Sequence, residues 1–292
     1  VKTPPAQVIG QFNAVIFLPQ MTGIIEDGPE ERRRYLNLTI SQSNPAYTRA
    51  LADYNQALTQ RNALLKLLNE RGGDRSQLDY WDEILAARAA LLITTRAVVI
   101  QELEEIAKRV HERLTGSKEV LRLNYQPSYD PLPAPQGQFA LPMQVQAQRS
   151  GLSQEKVKQG FTARLAELRA EEIARGITTI GPHRDEMRVL SNGIDLTDFG
   201  SRGQIRTALL SLKLAEVDWL KEKSGQWPVL LLDETLAELD TQRRAYLLDY
   251  LGNAEQVLLT TTDMNLFPHD FREKCERWRV VEGSVTQLGA ED

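Results

Sequence analysis

A buried strand that ends in two carboxylates constrains this chain more than any other feature. After Pro228, residues 229–240 read Val-Leu-Leu-Leu-Asp-Glu-Thr-Leu-Ala-Glu-Leu-Asp. The apolar run suits a strand covered on both faces of a parallel sheet, and Asp233 follows at the carboxyl end, where open α/β sheets bind ligands. Asp233 and Glu234 there suit magnesium binding and general-base chemistry. Taken alone, the pattern equally describes a core strand followed by an acidic surface turn.

A short polar turn, Ser201-Arg202-Gly203-Gln204, lies about thirty residues before that strand. Apolar residues recur at helical spacing directly after it, so the turn opens a predicted helix over residues 205–223. The free backbone N–H groups of a helix start attract phosphate. The alternative is an ordinary N-cap in which Ser201 caps the helix and Gly203 permits the bend.

Two long helices are predicted between Pro45 and Leu114, joined at residues 71–74. The second repeats apolar residues every seven positions, and Arg61 is a polar break in the stripe of the first. Such stripes pair as a helical hairpin. Later segments predict a proline-rich loop over 127–142, a helix over 153–175, a β-hairpin turning at 191–193, a strand over 257–260 and a last hairpin over 278–285.

Composition excludes several classes of protein. The chain has 292 residues, a net charge of −5 and one cysteine, Cys275, so no intrachain disulfide can form. No apolar run approaches the roughly 20 residues of a membrane-spanning helix, and we expect a cytoplasmic protein without a membrane anchor. A net negative chain binds DNA only through a local basic patch. Arg32, Arg33 and Arg34 are the candidates, and the alternative is a solvated face balanced by neighbouring glutamates.

The polar turn, the acidic strand end and Asp240, in this order, resemble the ATPase heads of the ABC superfamily. Further blocks narrow the resemblance to the RecF family, which is related to the SMC heads, and it covers the chain from about residue 12 onward. These blocks are Phe17-Leu18-Pro19, residues 28–36, Gly181-Pro182-His183-Arg184-Asp185 and Thr260-Thr261-Thr262-Asp263. The chain departs from the family at three places. Many family members carry a Ser-Pro-Glu-Asp-Leu type sequence at residues 18–22, a second Asp at the position of Glu234 and a second Gln at the position of Ile205.

The resemblance implies an α/β fold, a partial ABC-type head with an inserted helical arm. The expected boundaries are 1–28 for part of the ATPase lobe, 29–175 for the arm lobe with its loop at 127–142, and 176–292 for the C-terminal half of the ATPase lobe. No Gly-x-x-x-x-Gly-Lys-Ser/Thr sequence occurs in the chain. The nearest imitation, Gly116-Ser117-Lys118, ends a predicted helix. We therefore expect that an N-terminal segment carrying the Walker A loop is missing and that this chain alone is inactive as an ATPase.

The resemblance also implies roles for individual residues. Asp233 would hold Mg²⁺ through water and Glu234 would act as general base in ATP hydrolysis. Ser201, Arg202, Gly203 and Gln204, here called the signature turn, would reach the nucleotide of the opposing subunit. Asp240 would be the D-loop residue, and Thr261, Thr262 and Asp263 would form the switch region, which lacks the histidine of ABC transporters.

At the level of the whole protein, the resemblance implies a weak, ATP-dependent DNA-binding ATPase of recombinational repair. It would dimerise on ATP, bind gapped DNA or single-strand/double-strand junctions in the response to DNA damage, and work with RecR and RecO to load RecA. An alternative of another class is a non-hydrolysing interaction module of an SMC-like head, in which the helical arm and Arg32–Arg34 bind a partner protein.

Overall fold

The computed structural model describes residues 12–132 and 149–288 of the chain. The described residues form two compact units, the first comprising residues 12–13, 22–132 and 149–226 and the second residues 14–21 and 227–288. Residues 176–226 pack within the first unit. From residue 133 onward, the expected proline-rich loop lies outside the described residues.

The first unit is mainly helical. Its described helices are α1 (Gly23–Glu26), α2 (Pro29–Ser43), α3 (Pro45–Arg71), α4 (Leu78–Thr115), α5 (Gln154–Arg175), α6 (Leu196–Phe199) and α7 (Arg202–Ser224). Helices α3, α5 and α7 all pack against the long helix α4, which explains why the helix after the signature turn belongs to this unit.

The predicted pair of long helices is confirmed as α3 and α4. Asn44 caps α3 by accepting a hydrogen bond from Tyr47 N, and Pro45 follows at the first helical position, where its missing N–H costs nothing. Gly116 ends α4 with φ 61°, the left-handed conformation that favours glycine. The predicted seven-residue stripe of α4 is buried at every position, namely Leu78, Leu85, Leu92, Val99 and Ile106.

Arg61, the polar break in the apolar stripe of α3, has a fully buried side chain. Its Nε donates to Asp82 Oδ1 at 2.6 Å and its Nη1 lies 2.7 Å from Glu172 Oε2. The same nitrogen donates to Thr178 Oγ1 at 2.8 Å. A buried guanidinium therefore joins α3, α4 and α5.

A small antiparallel sheet completes the first unit. Its strands are β2 (Leu121–Gln126), β3 (Glu186–Ser191) and β4 (Ile194–Asp195), in the order β2-β3-β4. The predicted hairpin at residues 191–193 is confirmed, since Asn192 and Gly193 both have positive φ, 50° and 80°. This turn places the end of β3 beside the residues that follow α4, because Asn192 N donates to Val120 O at 3.0 Å.

The second unit contains a parallel sheet in the order β1-β5-β6. Its strands are β1 (Ala14–Phe17), β5 (Val229–Asp233) and β6 (Val257–Thr260), followed in the chain by the hairpin of β7 (Trp278–Val281) and β8 (Ser284–Gln287). Helices α8 (Thr241–Leu251) and α9 (His269–Glu273) lie between these strands in sequence. Leu230 and Leu232 are buried while Leu231 is partly exposed, so within the described residues one face of β5 is more fully covered than the other.

Candidate functional site

The predicted acidic strand end lies at the carboxyl edge of the parallel sheet. Asp233 ends β5 and pairs in register with Thr260, the last residue of β6. Thr260 Oγ1 donates to Asp233 Oδ1 at 2.5 Å, and Glu234 N approaches the same hydroxyl at 3.4 Å. On the other side, Thr235 Oγ1 donates to Phe17 O at the end of β1. Three strand ends therefore hold the residues around the two carboxylates.

Glu234 has a backbone conformation that non-glycine residues rarely adopt. Its φ and ψ are 48° and 15°, in the left-handed region, directly before a 3₁₀ turn over Thr235–Glu238. Such a conformation costs about 1–3 kcal/mol and is concentrated at functional sites. At Glu234 the backbone turns away from the direction of β5. The Asp233 and Glu234 side chains are therefore not arranged as neighbours on opposite faces of one strand.

The residues at this edge fit a magnesium ion held through water. Asp233 is exposed, and among the described residues only its Oδ1 accepts a hydrogen bond, from Thr260. An exposed carboxylate beside a hydroxyl provides the oxygen donors that Mg²⁺ prefers, and this ion usually keeps several waters. The type of oxygen donor at this edge is what matches the ion.

Asp240 and the predicted switch region each form local turns in the second unit. Asp240 is the N-cap of α8 and accepts from Arg243 N at 2.9 Å, and it also pairs with the Arg243 guanidinium. Thr261 Oγ1 accepts from Asp263 N at 3.1 Å. Asp263 in turn caps the 3₁₀ turn over Met264–Leu266, and Thr262 is exposed between them. These residues therefore lie in two capped turns, beyond β5 and beyond β6.

The signature turn forms the start of α7 in the first unit. Ser201 Oγ accepts from Gln204 N at 3.2 Å, and Gln204 Oε1 accepts from Ser201 N at 3.1 Å. This reciprocal pair is a capping box, which satisfies two of the free donors at a helix start. Both the cap and the helix start that the sequence predicts are present, one turn earlier than the apolar run indicates.

Gly203 is not required by local packing. A Cβ atom built at this residue would meet no atom within 4 Å. At Gly200, by contrast, a Cβ would lie 2.5 Å from Leu196 O, so the fold itself needs glycine there. The open space at Gly203, together with exposed Ser201 and Arg202, leaves the helix N-terminus accessible to a ligand.

Glu119 lies beside the signature turn and was missed by the sequence analysis. Gln204 Nε2 donates to Glu119 Oε1 at 3.2 Å. Glu119 lies in the short connection between α4 and β2, directly after Lys118. No motif marks it, because its partners lie far away in the sequence.

The three candidate arginines on α2 differ in their surroundings. Arg32 is buried and makes a bidentate contact with Glu186, at 2.7 and 2.8 Å, and this hydrogen-bonded pairing raises the pKa of the Arg32 guanidinium. Arg33 is partly buried and donates to Asp185 O, and burial, with the nearby Arg96, lowers its pKa. Arg34 is exposed. The Arg32 side chain is therefore part of a buried ion pair within the fold, whereas the Arg34 side chain is accessible to a ligand.

The block at residues 181–185 is a structural junction of the first unit. Asp185 is buried and accepts from Arg96 Nη1 at 2.8 Å and from Tyr125 Oη at 2.5 Å. His183 Nδ1 lies 2.7 Å from Tyr54 Oη, and burial lowers the pKa of His183 to about 4. These contacts give the block a packing role, because they connect α3, α4 and β2.

Comparison with curated proteins finds relatives over nearly the whole chain. One is the DNA replication and repair protein RecF of Chloroflexus aurantiacus, 38% identical over an alignment of 283 residues that covers 95% of this chain and 68% of the relative. Another is the RecF of an Exiguobacterium strain, 35% identical over 95% of this chain and 70% of the relative. This chain belongs to the RecF family. It spans about two thirds of the length of these RecF proteins.

Solved structures agree with this assignment. A structure of the recombination mediator protein RecF-ATPrS in the RecFOR pathway has a TM-score of 0.82 and 30% identity, covering 99% of this chain and 71% of that one. A RecF-ATP structure has a TM-score of 0.78 and 31% identity, covering 97% and 69%. No family model matches the chain. The RecF likeness confirms the expected fold class, a partial ABC-type ATPase head with an inserted helical arm. Among the described residues, no helix is long and apolar enough to cross a membrane.

Proposed function

We propose that this RecF chain presents its signature turn to ATP bound by a second copy, so that ATP drives dimerisation. The observation that carries the proposal is the preformed start of α7. Ser201 Oγ accepts from Gln204 N, so its own hydrogen remains available to an anion, and the space beside Gly203 is open. Backbone N–H groups at such a terminus favour phosphate. RecF-ATP and RecF-ATPrS structures are among the proteins that this chain resembles.

The acidic edge of the second unit would carry out the chemistry. Asp233 would hold Mg²⁺ through water, and Glu234 would accept the proton of the attacking water as general base. The turn at Glu234 supports this division of roles, because it gives the two carboxylates different backbone settings. Asp240 would connect one nucleotide site to the other, and Thr261, Thr262 and Asp263 would sense the nucleotide beside β6.

The biological role follows the family. RecF relatives are described as DNA replication and repair proteins, and RecF structures as belonging to the RecFOR pathway. We therefore place this chain in cytoplasmic DNA repair, where it would bind gapped DNA with RecO and RecR as partners and help RecA to load. Of the candidate arginines, Arg33 and Arg34 would contact phosphates, because Arg32 is buried in its ion pair with Glu186.

ATP turnover by the full-length protein tests this proposal. Glu234→Gln should slow hydrolysis by on the order of 10²–10⁴-fold while ATP still binds, because it removes the base and not the magnesium ligand. Ser201→Arg should also abolish turnover, but by blocking the shared site. Matched controls are Glu255→Gln, an exposed acid of the same unit as Glu234, and Ser153→Arg at the exposed start of α5. Unchanged turnover in Glu234→Gln would mean that Glu234 is not the general base, and a parent protein that binds ATP without turning it over would favour the non-hydrolysing interaction module.

A further inference from the structure

The side-chain amide of Gln204 is held from both ends. Its Oε1 accepts from Ser201 N at 3.1 Å, and its Nε2 donates to Glu119 Oε1 at 3.2 Å. An amide that rotates by half a turn exchanges its acceptor for its donor. Because a carboxylate only accepts hydrogen bonds, Glu119 fixes Nε2 on its own side. Glu119 thereby selects the orientation of the Gln204 amide in which Oε1 faces Ser201 N and the capping box is closed.

Glu119 is itself held by two residues from other elements. Ser191 Oγ, at the end of β3, donates to Glu119 Oε2 at 3.0 Å. His111 Nε2, on α4, lies 3.4 Å from the same oxygen. The carboxylate therefore receives partners from α4, β3 and α7, although it lies in a short connection.

His111 is fully buried and continues this chain of contacts into α7. Its Nδ1 lies 3.0 Å from Ser211 Oγ, and Ser211 Oγ donates to Thr207 O at 2.7 Å. His111 thus ties α4 to α7 and supports Glu119.

We propose that Glu119, supported by His111 and Ser191, is a positioning residue for the signature turn. It would act through Gln204, keeping the capping box closed and the Ser201 hydroxyl directed toward the nucleotide of the opposing copy. In this arrangement both ends of the Gln204 amide are occupied, so Gln204 serves Ser201 and does not itself bind phosphate. This inference rests on the proposed function of the signature turn in trans.

The test measures ATP-driven dimerisation of the full-length protein by light scattering, with monomer ATP binding measured in parallel. Glu119→Ala should raise the protein concentration needed for half dimerisation by about 10-fold to 150-fold, the effect of removing one hydrogen bond to a charged group. ATP binding by the monomer should stay unchanged. Glu119→Gln keeps the size and one acceptor oxygen, so its effect should be intermediate. Glu112→Ala, at an exposed glutamate in the last turn of α4, is the matched control.

A double-mutant comparison separates positioning from a general loss of stability. If Glu119 acts through Gln204, then Glu119→Ala combined with Gln204→Ala should dimerise no worse than Gln204→Ala alone. Additive effects would overturn the inference, and so would parent-like dimerisation of Glu119→Ala. Should Glu119→Ala not fold, the same comparison is made with Glu119→Gln. If Ser201→Arg dimerises normally, the proposed function itself fails. If Ser201→Arg blocks dimerisation while both Glu119 variants behave as the parent, only the positioning role fails.

Discussion

Removing the buried charge of Arg61 should destabilise the helical arm strongly. Arg61→Met keeps much of the apolar stem and deletes the guanidinium, which leaves Asp82 and Glu172 buried without that partner. Asp82 keeps Arg169 at 2.8 Å. Glu172 Oε1 keeps its bond from Thr179 Oγ1, but its Oε2 is deprived of the Arg61 guanidinium. Breaking one partner out of a buried pair costs about 3–5 kcal/mol, and we expect a value in this range.

The control for Arg61→Met is Arg88→Met. Arg88 pairs with Asp53 at 3.0 Å and joins the same two helices, α3 and α4, but both side chains are more than 40% exposed. An exposed pair of this kind is worth about 0–1 kcal/mol. Hydrogen exchange of α3 and α4 peptides, read by mass spectrometry, reports the opening free energy of the arm separately from the second unit. An equal decrease of protection in the two variants would refute the reasoning.

A third variant checks the physical cause. If the cost of Arg61→Met comes from stranded carboxylates, then adding Glu172→Gln should recover part of the protection, because it removes one unpaired buried charge. A double variant that is less protected than Arg61→Met alone would mean that the missing guanidinium packing, and not the stranded charge, dominates.

Two further predictions concern the first unit. Burial lowers the pKa of His183 to about 4, while an unfolded histidine has a pKa near 6.5. Between these two values the unfolded state binds a proton that the folded state does not. The free energy of unfolding should therefore fall by about 2 kcal/mol between pH 7 and pH 5. Urea titrations of His183→Asn should lack this component, and a parent protein equally stable at both pH values would contradict it. For DNA binding, Arg33→Ala with Arg34→Ala should lower the slope of log affinity against log salt by about 0.7–0.9 for each phosphate that no longer meets an arginine. Arg32→Ala should instead lower the melting temperature, and an unchanged slope in the double variant would mean that Arg33 and Arg34 form a solvated face.

Much of the fold could be predicted because its elements carry local signals. The seven-residue repeat of α4 predicted both a helix and the side that it buries, and Asn192-Gly193 predicted a hairpin from the two residues that tolerate positive φ. The run before Asp233 predicted β5, and the polar turn predicted the capped start of α7. In each case the signal lies in the local sequence of the element itself, in its apolar spacing or in its turn residues.

The features that were missed depend on partners distant in the sequence. Arg61 was predicted only as a polar break in the apolar stripe, because its partners, Asp82 and Thr178, lie 21 and 117 residues away. Glu119 carries no motif, and its contact with Gln204 spans 85 residues. The division of the chain near residue 226 also depends on packing, since α7 lies along α4. Periodicity cannot reveal which distant elements share one core.

The left-handed conformation of Glu234 was equally beyond the sequence. A residue type with a Cβ is not expected at φ 48°, and nothing in the letters Asp-Glu-Thr marks the turn. The sequence predicted both carboxylates and their place at the strand end. It did not predict that the backbone turns sharply between them.

The measurement that tests the central claim most directly is ATP-driven dimerisation of Ser201→Arg in the full-length protein. An arginine at Ser201 would fill the open helix start from which the signature turn is proposed to reach the opposing nucleotide. Light scattering should show a monomer at ATP concentrations that dimerise the parent, while ATP binding to the monomer stays largely intact. If Ser201→Arg dimerises with ATP as readily as the parent, the signature turn does not act in trans and the proposed mechanism is wrong.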